Sequence, residues 1–423
     1  MSTLLLLGLG LAVAAAPEEE TLPATAPPPE ASDGSHWGWA GLPYASYNSI
    51  DGLGVGLGAE VFERPAGTTS GFRYKATLST FFTVTGNYSS TYLQLMRQDK
   101  HPWVARLVYR YWKNLIYVGA GGDDVVVRWA SSPVAVDDPQ SAADDRANAD
   151  ARREFNQAYR NEIYTPSALF GVSRSIRNTP LLVWGQAYTR FATVEPHPGG
   201  MLHQEKPLGA DCEKWRCDSL YTDFSLGLFL SELDRFPLPN RGIRSELDTR
   251  VGFTVANGEV TPLVGLHAEV MGWVPLYGSW LVLGARSVFD KTWGQRPFYE
   301  QEQVGGQWRD EVGYEQPLTG YARTRSRGDG LWATLVEVRP KIFDTQVGRT
   351  KLEGHLSLFA EAAWLFEGND PGPALPSLGL GPELLYQGAV QVRPFLSFGW
   401  MRDDPGDIRK PTPQFNLSLM GPL

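Results

Sequence analysis

The sequence predicts an all-β fold, a 16-stranded antiparallel transmembrane β-barrel, and three observations predict it. From residue 42 onward, apolar and polar residues alternate with a period of two over long segments, the mark of strands with two different faces. The long connections between those segments fall only in alternate slots, as when one end of a barrel carries loops and the other tight turns. The alternation also runs to the end of the chain, through Phe415, Leu417, Leu419, Gly421 and Leu423, so the chain closes on a strand.

Composition sets outer limits. The 423 residues carry a formal charge of −9 and a mean hydropathy of −0.25. An acidic balance excludes a nucleic-acid surface, which needs concentrated Lys and Arg. The hydropathy excludes a bundle of membrane helices, each of which takes about 20 apolar residues. Aromatics at 12% and 45 glycines suit strands and tight turns.

The N-terminus reads as an export signal over 1–14. Leu4 to Ala16 is apolar, too short to span a bilayer as a helix, and Ala12-Val13-Ala14 is a small-x-small cleavage site. Residues 15–36, rich in Pro, Glu and Ala, have nothing to bury and read as a disordered linker. The barrel is assigned to 37–423.

Within it the strands are expected at 53–62, 72–84, 90–99, 103–113, 115–120, 162–176, 181–194 and 221–233. They continue at 243–256, 260–273, 279–289, 330–343, 350–366, 378–386, 389–401 and 413–421. In 244–255, Arg244, Glu246, Asp248, Arg250 and Thr254 share one face, opposite Leu247, Val251, Phe253 and Val255. In 351–366, Lys351, Glu353, His355, Ser357 and Glu361 oppose Leu352, Leu356, Leu358, Ala360, Ala362, Trp364 and Phe366. A soluble sandwich alternates too, with its apolar face inward. Strands this long, charges of both signs on one face, and aromatics gathered at strand ends favour a barrel in lipid. The apolar stretch 262–285 could pass for a helix, but Pro275 and Gly278 split it into two strands.

The connections give an independent check. The long ones, 121–161, 195–220, 290–329, 367–377 and 402–412, all occupy odd slots, which face outward when both termini are periplasmic. The 139–160 stretch inside the third external loop reads as a charged helix on the rim. Cys212 and Cys217 are the two cysteines, with four residues between them. That spacing suits neither a redox pair nor a zinc site, and in an exported chain it implies one small disulfide loop.

Three segments resemble the bacterial surface antigen superfamily, the barrel class of the outer-membrane assembly factors of BamA/TamA type. They are LPYASYNSIDGLGVGLGAEVFER at 42–64, LDRFPLPNRGIRSELDTRVGF at 233–253 and LTGYARTRSRGDGLWATLVEVRPKIF at 318–343. The first is similar to that family's opening hairpin, the second to a periplasmic turn and strand, and the third to its sixth external loop. The resemblance implies that this loop folds back into the lumen. In the family an Arg before Gly-aromatic pairs with acids on the inner wall, and here that position is Thr319. Gly320, Tyr321, Arg325, Arg327, Gly328 and Asp329 keep the rest of the motif. Arg325 or Arg327 is therefore expected to pair with lumen-facing Glu337, Glu353 or Glu361, on a wall that also carries Arg339. Phe415, Leu417, Leu419 and Leu423 stand where the family's C-terminal barrel signal lies, with Leu423 in place of the usual terminal aromatic. Periplasmic repeat domains, which assembly factors carry, have no counterpart in the 17–35 linker, so the resemblance is to a stand-alone barrel.

The six histidines have no metal-ligand spacing, and there is no nucleophile elbow or phosphate-cradling glycine loop, so neither an enzyme nor a metal or cofactor is expected. His267 with Glu269, and His355 with Glu353, share the lumen faces of their strands. The expected function is protein or lipid translocation, assembly or membrane remodelling in the bacterial cell outer membrane. A gated or passive pore and a lipid-modifying enzyme are the alternatives. The implied partners are outer-membrane lipids and lipopolysaccharide, with the barrel-assembly machinery during insertion. The protein itself is expected to be a monomer.

Overall fold

A computed structural model describes residues 36–420 apart from 49–51, 65–71, 87, 99–101, 117–159, 178, 197–216, 236–237, 257, 295–296, 298–301, 305–325, 348–349, 373, 387–389 and 401–411. Sixteen long strands form one antiparallel sheet. They are β1 His36–Asn48, β2 Gly52–Arg64, β3 Tyr74–Thr83, β4 Tyr88–Arg97, β5 Trp103–Ile116, β6 Arg160–Ser175, β7 Leu181–Pro196 and β8 Cys217–Leu233. The second half is β9 Gly242–Ala256, β10 Glu259–Tyr277, β11 Leu281–Gly294, β12 Gly330–Val347, β13 Thr350–Glu367, β14 Leu375–Tyr386, β15 Val390–Gly399 and β16 Thr412–Met420. Each strand pairs with the next in sequence, from β1–β2 to β15–β16. The two-residue strand Asp370–Pro371 folds back on the end of β13. β1 and β16 lie side by side, as the first and last strands of a barrel do. Among the described residues no hydrogen-bonded ladder joins these two strands, unlike every other neighbouring pair.

The faces are inverted relative to a water-soluble sheet. In β14 the alternation is complete: Ser377, Gly379, Gly381 and Glu383 are buried, whereas Leu378, Leu380, Leu384 and Tyr386 are exposed. The outer wall shows Leu226 at 64% exposure, with Leu57, Val61, Leu78, Leu107, Phe170 and Val251 each about half exposed or more. The inner wall buries Glu60, Lys75, Arg110, Arg190, Asp223, Asp248, Glu269, Asp290, Arg339 and Glu353. An apolar band of this extent is unfavourable against water and favourable against hydrocarbon. Away from the β1–β16 seam the strands close their backbone hydrogen bonds against one another, which is what a lipid environment demands. No helix among the described residues is long and apolar enough to cross a membrane, and a barrel crosses with strands. Aromatics mark both rims. Trp293 and the stacked pair Trp332–Trp364 (ring centroids 5.0 Å apart) stand at the long-loop end, and Tyr277, Trp280 and Tyr386 at the short-turn end.

One expected strand and one unexpected strand need correcting, and the errors cancel in the count. The strand expected at 115–120 does not begin separately, and 117–120 lie outside the described residues. Leu115 and Ile116 continue β5 past a register shift after Trp112, so a bulge at Lys113-Asn114 imitates a turn. At the start, β1 (HWGWAGLPYASYN) precedes the first expected strand. Its glycines and Pro43 obscure the alternation, and proline is tolerated in a strand at a sheet edge. The glycine-rich strand at 53–62 is consequently β2, and the strand beside β16 is β1. From β6 onward numbering and loop parity are as expected.

Candidate functional site

The candidate site is the lumen, where alternation on facing strands concentrates charge. Buried charges are tolerated when they are paired and hydrogen-bonded, and two paired clusters account for most of them. In the first, Arg393 on β15 reaches across β14. It lies 2.8 Å from Glu383 on β14 and 3.3 Å from Glu337 on β12, and donates to the Ser357 hydroxyl on β13 at 3.0 Å. Ser357 in turn donates to Glu337. Arg339 stands 3.8 Å from the same carboxylate. Nearer the short-turn end, Glu353 accepts from Lys351 at 2.9 Å and lies 3.6 Å from Lys341 and from His355.

The second cluster joins β9, β10 and β11. Arg250 pairs with Asp290 at 2.6 Å, His267 Nδ1 meets the same carboxylate at 3.1 Å, and Arg286 donates to Glu269 at 2.6 Å. Glu246 faces Glu269 directly across the β9–β10 ladder. Glu246, His267 and Glu269 offer ligand atoms within 4.8 Å of one another. The His267/Glu269 pair is visible in the sequence, and Glu246 joins it only through register. Arg286 is paired with Glu269 of this trio, and Arg250 with Asp290 beside it, so ion pairs run through the arrangement. A smaller pair, Lys75–Glu60 at 2.6 Å with Thr77 donating to Glu60, braces β2 and β3.

The connection between β8 and β9 enters the same space. Asp234 accepts from the backbone N–H of Asn240 and Arg241 at 2.9 and 3.1 Å, and Arg235 donates to the Leu238 carbonyl at 2.7 Å. Arg235 also donates to Glu353 on β13 at 2.8 Å, and Arg339 donates to the Pro239 carbonyl. Gly242, at φ +124°, lets the chain leave the turn against the Glu232 carbonyl, where a Cβ would stand 2.0 Å away.

The expected site residues divide between the inner wall and the long-loop end. Glu337, Arg339, Glu353 and Glu361 all face the lumen and are buried. Glu361 accepts from Ser377 at 2.7 Å, and the other three belong to the first cluster. Of the sixth-loop motif, Gly328 and Asp329 are placed at the long-loop end. Gly328 packs on Leu365 and the Phe366 carbonyl, and Asp329 accepts from the Gly368 N–H at 3.1 Å. The backbone of 326–328, which includes Arg327, pairs with 302–304 to form a small ribbon at the loop's base. Thr319, Gly320, Tyr321 and Arg325 lie outside the described residues, as does the side chain of Arg327. Beside this base, Leu331, Ala333, Ala363, Leu365 and Leu375 form a buried apolar patch on the inner wall. Cys217 opens β8, while Cys212, the signal and linker segments, the 139–159 part of the rim stretch and Leu423 lie outside the described residues. Phe415, Leu417 and Leu419 are on β16, with Phe415 exposed. Sequence reasoning missed Arg393, Glu383 and Arg235, because each works through a partner on another strand.

No family model matches the sequence, and no curated protein matches it. Among solved structures, BamA from Haemophilus ducreyi lacking POTRA domains 1–3 is similar with a TM-score of 0.57 at 13% identity, over 92% of this chain and 70% of that one. CdiB from Escherichia coli is similar with a TM-score of 0.52 at 10% identity, over 91% of this chain and 62% of that one, so the match spans less than two thirds of CdiB. The chain therefore has the barrel fold of BamA and CdiB.

Proposed function

We propose that the chain is an outer-membrane barrel of the surface antigen and assembly-factor superfamily, and that it guides protein chains into or across the outer membrane at the seam between β1 and β16. The observation that carries this reading is the seam itself. Every other neighbouring pair of strands is laddered, whereas β1 and β16 adjoin without a ladder among the described residues. At the start of β1, residues of both parities are exposed, including Trp37, Trp39 and Ala40, as at a free edge. An unpaired strand edge is a template for adding another strand. The β8–β9 turn that reaches across the short-turn end to Glu353 on the opposite wall disfavours the alternative of a passive pore.

In this reading the short-turn end is periplasmic, the outer wall contacts outer-membrane lipids and lipopolysaccharide, and the barrel-assembly machinery inserts the chain as a monomer. The sixth loop folds inward from its base beside the Leu331/Leu365/Leu375 patch, with Arg325 or Arg327 pairing with Glu337, Glu353 or Glu361. Cys212 and Cys217 close a small external loop.

Photo-crosslinking in living cells tests the seam. A photoreactive residue in place of Trp39 or Phe415, at the seam strands, is expected to capture protein chains. The same residue in place of Phe170 or Phe224, on the mid-wall, is expected to capture only lipid. Equal capture of protein from the mid-wall positions, or none from the seam, would discard the proposal.

A further inference from the structure

The geometry points to the β8–β9 turn as a plug, one that narrows the lumen at the short-turn end and is latched to the opposite wall by Arg235 and Glu353. The latch spans 118 residues of sequence and four strands of wall. With neighbouring strands about 4.8 Å apart, roughly 20 Å of wall separates β9 from β13, further than an arginine side chain can reach. The turn's backbone must therefore fold inward across the opening. Two further observations place it there. The Pro239 carbonyl accepts from Arg339, a buried lumen residue on β12, and Leu238 is only 2% exposed although it sits in a connection.

The turn moves as one body because it is braced internally. Asp234 holds the N–H groups of Asn240 and Arg241. The Arg235 guanidinium donates to the Leu238 carbonyl at 2.7 Å and to the Asn240 side chain at 3.0 Å before it reaches Glu353. One guanidinium thus shapes the turn and anchors it. Glu353 is also met by Lys351 and Lys341, so releasing Arg235 leaves the carboxylate compensated. Breaking the latch therefore costs the wall little and leaves the turn held, among the described residues, by the Arg339–Pro239 hydrogen bond alone, as a releasable closure requires. The description of this end as periplasmic rests on the functional reading above; the plug itself does not.

Cysteine accessibility tests the plug in the full chain, with Cys212 and Cys217 replaced by serine. Purified protein carrying Leu238→Cys is treated with a bulky maleimide and compared with Tyr277→Cys, at the neighbouring β10–β11 turn, where Tyr277 is 75% exposed. We expect Leu238→Cys to react at least about tenfold more slowly, as for a site that must open before it reacts. Adding Arg235→Ala should raise its rate several-fold and leave that of Tyr277→Cys unchanged. Arg235→Lys, which keeps a cation beside Glu353, should recover part of the slow labelling. Fast labelling of Leu238→Cys with the latch intact would overturn the plug, and slow labelling after Arg235→Ala would overturn the latch. Leu238→Cys alone needs no altered charge, so it reads the plug even if Arg235→Ala fails to fold. Labelling of Tyr277→Cys by an impermeant reagent on intact cells reports membrane side separately.

Discussion

Replacing Arg393 with alanine is expected to destabilise the folded barrel by about 3–5 kcal/mol, the cost of removing one partner from a buried ion pair. Arg393 is 8% exposed and serves two carboxylates and a hydroxyl on three other strands. Without it, Glu337 keeps Arg339 at 3.8 Å, a longer and weaker contact, and Glu383 loses a guanidinium at 2.8 Å. Arg393→Lys should recover part of the loss, because an ammonium restores charge but not the fork whose Nε meets Glu383 while its Nη2 meets Glu337 and Ser357. Arg393→Met combined with Glu383→Leu should lie closer to the natural chain than Arg393→Ala, since apolar replacement of both partners removes the uncompensated charge. Urea unfolding in lipid vesicles measures all three. A loss under about 1 kcal/mol for Arg393→Ala, the scale of an exposed pair, would show that water reaches this cluster freely.

Leu226→Arg is expected to destabilise the barrel by about 2–4 kcal/mol, although Leu226 is 64% exposed. In a water-soluble sheet the same change would fall within about 0.5 kcal/mol of neutral. The difference isolates the solvent of the outer wall, because Leu226 lies near the middle of β8, where the hydrocarbon is deepest. Reversible unfolding in vesicles provides the measurement. A neutral result would mean that the apolar band faces something other than lipid.

Much of this architecture is legible in the one-dimensional pattern. Period two assigns each residue a face, so alternation alone puts Glu337, Glu353, His355 and Glu361 on the inner wall. Loop parity then orients the strands. The pattern fails where the backbone departs from regular pleating: at Lys113-Asn114, where a bulge resembles a turn, and at Trp37–Tyr47, where glycine and proline interrupt the alternation of an edge strand. It is silent on which inward groups meet. Glu246 meets Glu269 through ladder register, Arg393 meets Glu337 by reaching past intervening strands, and Arg235 meets Glu353 because a turn folds across the opening. Those meetings depend on register between strands and on the curvature of the wall, which a single strand's sequence does not encode. The DRFPLPNRG turn is recognisable as a motif, yet its inward course is not.

The most direct test of the seam is amide hydrogen exchange along the wall, with the protein in lipid nanodiscs. Local opening follows the hydrogen bonds that must break. Amides of β1 and β16 are expected to exchange at least about tenfold faster than those of β8 and β9, whose ladder runs from Ser219–Ala256 to Leu233–Gly242. Protection of β1 and β16 equal to that of β8 and β9 would contradict this, because the seam would then be sealed like the rest of the wall.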